Sequence, residues 1–218
     1  MLFHLVKKDF ILAKKYLLFM LIFSVVGPIF IYSKIGFNNG SAVSFLITVL
    51  FVEFILYNMT SMSEDKYKGA SLICTTPHTR NGVIKAKYLF VLIIFVGCFI
   101  LYNLATVIGA SVGVERLDIA SVGNSLLVIS IFYGILIPVQ IKFGYEKTRF
   151  IFFILIFLTP FVLPYIIQWY QSANLSVNFN IKAKVPKVIN DWFMFVVSFI
   201  IGLISMLIST HFFSKKNL

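Results

Sequence analysis

Gly109-Ala110-Ser111-Val112-Gly113 is the segment whose residue types most directly suggest chemistry. Gly-x-Ser-x-Gly is the spacing of a serine-hydrolase nucleophile, which sits on a sharp strand-to-helix turn within reach of a histidine. The histidines are His4, His78 and His211. All three fall near one set of ends of the apolar stretches, and Ser111 falls near the other. The motif also closes a helix-length apolar stretch, where no strand-to-helix elbow can form. Its better reading is Gly-x-x-x-Gly, with Gly109 and Gly113 as a close-packing face between membrane helices.

Other reaction classes fail on composition. No Gly-Lys dipeptide occurs, so a phosphate-cradling P-loop is absent. No His-Glu pair occurs, which removes the helical zinc-protease motif. Cys74 and Cys98 have neither disulfide-framework nor metal-site spacing. An intramembrane protease would need paired glutamates and histidines within apolar stretches, and Glu53 is the one acidic residue well inside such a stretch. A carboxylate there costs about 2.5–3.5 kcal/mol on insertion scales and usually faces a bundle interior or a watery path. Glu53 is therefore a candidate substrate contact, with Asn58 and Asn103 as companions. The alternatives are a structural bond to Asn58, Asn103 or Gln140, or a protonated, silent carboxyl. The chain is not expected to be an enzyme or to bind a cofactor or metal itself.

The elements that would position these residues follow from hydropathy. Sixty per cent of the 218 residues are hydrophobic, and the mean hydropathy is +0.96. A spanning helix needs about 20 predominantly apolar residues. Six stretches qualify: 16–35, 41–62, 88–113, 121–141, 149–170 and 191–213. They use up most of the chain, so residues 1–218 read as one all-α transmembrane domain. The first stretch lacks a small-residue cleavage site and reads as a retained helix.

The net charge of +11 would suggest nucleic acid in a soluble protein. Here the basic residues lie in the gaps between spans, where they set topology instead, and no nucleic-acid partner is expected. With six spans both termini share a side. Fourteen Lys and Arg fall on that side and five on the other, so the positive-inside rule makes both termini cytoplasmic. Abundant Lys, Phe and Ile with only three arginines fit an AT-rich bacterial genome, hence a bacterial plasma membrane.

Residues 1–15 form a basic amphipathic arm. On a helical wheel His4, Lys7, Lys8, Lys14 and Lys15 share an arc of roughly 120°. Such a helix lies flat in the headgroup layer, either as a topology anchor or as an elbow bracing the first span. Residues 63–87 make the longest cytoplasmic segment. Ser61-Met62-Ser63-Glu64 has capping-box spacing, which predicts a short helix to about Cys74 with Glu64 and Asp65 in solvent. That segment suits either an ordinary solvated loop or a docking site. Pro160 and Pro164 predict a broken or re-entrant end to the fifth span. Residues 171–190 then form an extracellular loop.

Two segments resemble a family. Thr76-Pro77-His78-Thr79-Arg80 followed by Val83-Ile84-Lys85-Ala86-Lys87-Tyr88 is similar to the Leu-Pro-x-Ser-Arg and Ile-Val-x-x-Lys-Tyr pattern of small ABC-2 type transporter permeases, with Thr76 and Thr79 as departures. Pro138, then Lys142-Phe143-Gly144-Tyr145-Glu146-Lys147, resembles the same family before its fifth helix. Lys7-Lys8-Asp9, the basic pair Lys14-Lys15 and the closing Phe213-Ser214-x-Lys216 fit as well, so the resemblance runs through essentially the whole chain. It is nearest to permeases of staphylococcal phenol-soluble modulin exporters and of bacteriocin export or immunity systems. It implies a half-transporter that pairs with an identical or different permease. Two ABC ATP-binding subunits would carry ATP and Mg, and the cargo would be an amphipathic or antimicrobial peptide crossing among membrane lipids. The segment between the second and third spans would be the coupling helix, with Glu64, Asp65, Lys66, Tyr67, Pro77 and Arg80 facing the ATPase. Gly144, Tyr145 and Glu146 would form a second cytoplasmic loop motif.

Overall fold

The computed structural model describes residues 2–35, 40–67, 80–109, 114–172 and 187–214. The described residues form six helices and no strand: α1 (Leu2–Ile35), α2 (Gly40–Lys66), α3 (Arg80–Ile108), α4 (Ile119–Phe143), α5 (Tyr145–Ser172) and α6 (Lys187–Ser214). Each corresponds to one expected span; α3 ends at Ile108, and residues 110–113 of the expected 88–113 lie outside the described residues. Five of them, all but α5, are long and apolar enough to cross a membrane over their described residues. In a bilayer every backbone N–H and C=O must be satisfied inside its own segment, which is why apolar sequence of this length becomes helix.

α2 is the central element. It packs on α1, α3, α4 and α5, and 67% of its most apolar stretch is buried, against 17% for α6. Burial runs all round it: Phe45, Ile47, Thr48 and Leu50, which point in four directions at 100° per residue, are all buried. A second unit is the α4–α6 pair, which α3 joins to the rest. Tyr88 on α3 shares its hydroxyl with Ser205 Oγ (2.6 Å) and Ser209 Oγ (2.9 Å) on α6. Ser205 donates in turn to the Gly134 carbonyl on α4 at 2.7 Å. Such bonds average about 0.6 kcal/mol each in membranes and mainly set helix register.

Two expectations change. The arm is not a separate elbow, because α1 runs unbroken from Leu2 to Ile35. At 1.5 Å per residue it is about 50 Å long, well beyond a hydrocarbon core of about 30 Å. Its surplus packs on the bundle: Leu5, Val6, Asp9 and Ala13 are buried, and Phe10 meets Phe90 of α3 edge-on at 4.9 Å. These apolar side chains therefore turn toward protein, whereas Phe3 and Ile11 stay exposed. The fifth span is not re-entrant either, since α5 continues as helix through Pro160 and Pro164 to Ser172. Residues 173–186, most of the expected extracellular loop, lie outside the described residues.

Candidate functional site

The end of α2 that leads toward α3 carries the densest charge cluster among the described residues. Ser61-x-x-Glu64 is not a capping box, because it lies inside α2, which runs on to Lys66. Glu64 does not face open solvent as expected. Its carboxylate is half-buried and accepts from Lys8 of α1 through Oε1 and from Lys87 of α3 through Oε2, both at 2.5 Å. Lys8 also reaches Asp9 at 3.2 Å, and Lys87 lies 5.6 Å over the Tyr57 ring. One carboxylate thus ties three helices at the root of the segment between α2 and α3.

Asp65, Lys66 and Tyr67 are exposed, as a docking surface requires. Lys66 sits 5.7 Å over the Tyr67 ring. Pro77 and most of the expected coupling helix lie outside the described residues. Arg80 begins α3, with its side chain outside them.

Glu53 sits in the core of α2 with 0% exposure. Neither oxygen has a hydrogen-bond partner among the described residues, and the same is true of the buried Tyr133 hydroxyl. Cys98 of α3 and Tyr133 of α4 lie within electrostatic reach of the Glu53 carboxyl. The expected companions are elsewhere. Asn58 is half-buried five residues along the same helix, about 140° round its axis. Asn103 is exposed and donates to the Phe99 carbonyl at 2.9 Å. Glu53, Asn58 and Asn103 are not brought together, and the proposed bonds to Asn58, Asn103 and Gln140 are not formed.

Against this geometry, the profile of the ABC-2 family transporter proteins matches residues 4–214. The chain belongs to the ABC-2 transporter family. No curated protein and no solved structure matches it. Membership makes it the membrane component of a transporter and implies an ABC ATP-binding subunit as partner.

In this ABC-2 permease the residues that sequence reasoning left without a role were already inside the family-like motifs. Lys8 and Asp9 belong to Lys7-Lys8-Asp9, and Lys87 precedes Tyr88 in the second motif. The signal was there, but no spacing rule joins positions 56 and 23 residues from Glu64.

The Gly144 motif acquires a local explanation. α4 ends at Phe143 and α5 starts at Tyr145, so one residue makes the whole turn. Gly144 has φ 88° and ψ 160°, a region essentially confined to glycine. Its N–H caps α4 through the Gln140 carbonyl at 2.9 Å, and Thr148 Oγ1 donates to its carbonyl at 2.8 Å. Tyr145 is buried beneath the turn, and Glu146 lies exposed in the first turn of α5, where a negative charge complements the helix dipole. Gly144→Ala is expected to cost about 1–3 kcal/mol, visible as a lower unfolding temperature in detergent. An unchanged transition would mean that the turn relaxes without strain.

Of the two glycines in the small-residue reading, only Gly109 is among the described residues. A Cβ on Gly109 would lie 3.1 Å from Ile29 of α1 and 3.0 Å from Val114, so this glycine permits a close approach, and Gly113 lies outside the described residues. Gly123, not singled out from sequence, does the same between α4 and α6, where a Cβ would come within 3.0 Å of Phe195.

Proposed function

We propose that this protein is the membrane-spanning half of an ATP-driven exporter that moves amphipathic or antimicrobial peptides out of the cell or the membrane. Two such permeases, identical or different, would pair above two ATP-binding subunits in a bacterial plasma membrane, with both termini cytoplasmic. The observation that carries this reading is the family match over residues 4–214 in a chain that has no P-loop of its own. ATP and Mg then belong to the partner. Asp65, Lys66 and Tyr67 would face the ATPase, and Glu64 would pass its motion to α1 and α3. The peptide cargo rests on the resemblance to modulin and bacteriocin exporters.

The test is co-purification followed by reconstitution in vesicles. A stable complex with an ABC ATPase, whose turnover rises with a lysine-rich amphipathic peptide that becomes vesicle-protected, is the expected result. A permease that purifies without an ATPase would instead be a sensor or assembly partner. Orientation has its own check. Cysteines placed at Asn38 and Ser172 should react with an impermeant thiol reagent in intact cells, and one at Ser63 should not. Labelling at Ser63 from outside would invert the whole arrangement.

A further inference from the structure

A cavity of about 380 Å³ opens between α3, α4 and α6, within the range of about 300–1,000 Å³ typical of small-molecule sites. Its walls are apolar, with Leu92, Phe95, Phe199, Leu203 and Met206 among them. Of the polar groups it includes, the Tyr88 hydroxyl is engaged by Ser205 and Ser209 and the Ser198 hydroxyl by the Met194 carbonyl at 2.7 Å, whereas the buried hydroxyl of Tyr133 has no partner among the described residues. An occupant need supply few hydrogen bonds along its length.

One end is different. Lys85, in the first turns of α3, lines the cavity beside Leu2 of α1, at the membrane surface that holds the charge cluster. Lys85 is exposed. Glu64 and Asp9 pair with Lys8 and Lys87, and Lys85 has no ion-pair partner among the described residues. No lining residue is acidic. A long apolar slot that ends in one cation at the membrane surface matches an anionic headgroup joined to a hydrocarbon chain. It repels the lysine-rich cargo proposed above.

We propose that this cavity seats an anionic phospholipid from the adjacent leaflet, with its phosphate on Lys85 and an acyl chain along α3 and α6. The site lies apart from the Glu64 charge cluster and reaches the surroundings of Glu53 only through Tyr133, and the proposal holds whichever cargo the transporter moves. Its position against α3, the helix that continues from the segment between α2 and α3, means that a bound lipid braces the α3–α6 contact.

Two substitutions separate headgroup from chain. Lys85→Gln removes the cation. Gly202→Phe fills the slot from α6, and its Cβ would meet nothing within 4 Å, so the helix should accept it. The probes are phosphatidylglycerol and phosphatidylcholine, titrated onto the detergent-purified full chain and counted by native mass spectrometry. The wild type should retain phosphatidylglycerol preferentially. Lys85→Gln should lose about fivefold in phosphatidylglycerol affinity, equivalent to the roughly 1 kcal/mol of one surface lysine, with phosphatidylcholine unaffected. Gly202→Phe should weaken both lipids. Lys14→Gln, an exposed lysine outside the cavity, should change neither.

Equal retention of the two lipids by the wild type would overturn the proposal. So would a Lys14→Gln loss equal to that of Lys85→Gln, since the effect would then be general surface charge. Displacement of phosphatidylglycerol by a cationic amphipathic peptide would assign the cavity to cargo. Gly202→Phe that dissociates a dimer while lipid retention stays constant would assign it to a second copy of the chain.

Discussion

Glu64→Lys is expected to produce the largest loss of stability of any single charge change in this permease. The wild-type carboxylate holds Lys8 and Lys87 from opposite sides, and the substitution would put three ammonium groups in that space. Breaking a buried pair costs about 3–5 kcal/mol. The side chains here keep 32%, 16% and 15% of their surface for Lys8, Glu64 and Lys87, so solvent screening reduces the expected loss to about 2–3 kcal/mol. Thermal unfolding of the purified permease measures it. The double substitution Glu64→Lys with Lys87→Glu restores one opposite-charge pair across α2 and α3 and should recover most of the loss. No recovery would mean that the helices are not tied through this pair.

Asp65→Lys supplies the contrast. Asp65 is exposed, and surface substitutions of that kind usually stay within about 0.5 kcal/mol. If the segment after α2 docks on the ATPase, this variant should fold normally and lose cargo-stimulated ATP hydrolysis. The docking question therefore belongs to Asp65, because a defect at Glu64 would mix lost docking with lost packing.

Replacing Glu53 should move stability and transport in opposite directions. A buried polar group without a partner costs about 1–3 kcal/mol, and both Glu53 oxygens are in that position. Glu53→Leu should therefore stabilise the isolated permease by about 1–3 kcal/mol, and Glu53→Gln, which keeps the polar shape, should change little. If Glu53 lies on the substrate path proposed above, it would act during transport, when helix movement opens the core. Both variants should then assemble normally, and apparent affinity for lysine-rich peptides should fall about tenfold, equivalent to about 1.4 kcal/mol. Loss of stability in the Leu variant would reveal a partner acquired in the assembled complex. Unchanged peptide transport by a well-folded Gln variant would remove Glu53 from the substrate path.

The six helices and their order were determined by the sequence alone, because the rule that specifies them is local. About 20 apolar residues cannot leave their backbone unpaired in lipid, so each stretch becomes a helix wherever its neighbours lie. The Lys142-Phe143-Gly144-Tyr145 motif was marked only by its resemblance to the family; that one residue makes the whole turn, with a φ that local sterics reserve for glycine, came from the structure. The tertiary structure decided what local rules do not carry. A helical wheel marked Lys8 as part of a polar face but not that Glu64, 56 positions away, would meet it. The wheel also ignored Asp9, which packing buries. Pro160 and Pro164 announced a break that α5 does not make, because freed backbone groups in a membrane helix can be re-satisfied by their surroundings. Asn58 and Asn103 looked like partners for Glu53 by type and approximate depth. Asn58 lies about 140° round the same helix from Glu53, an offset that helical periodicity already fixed; the rotation of α3 about its own axis, set by how its neighbours pack, left Asn103 exposed and the carboxyl without a hydrogen-bond partner among the described residues.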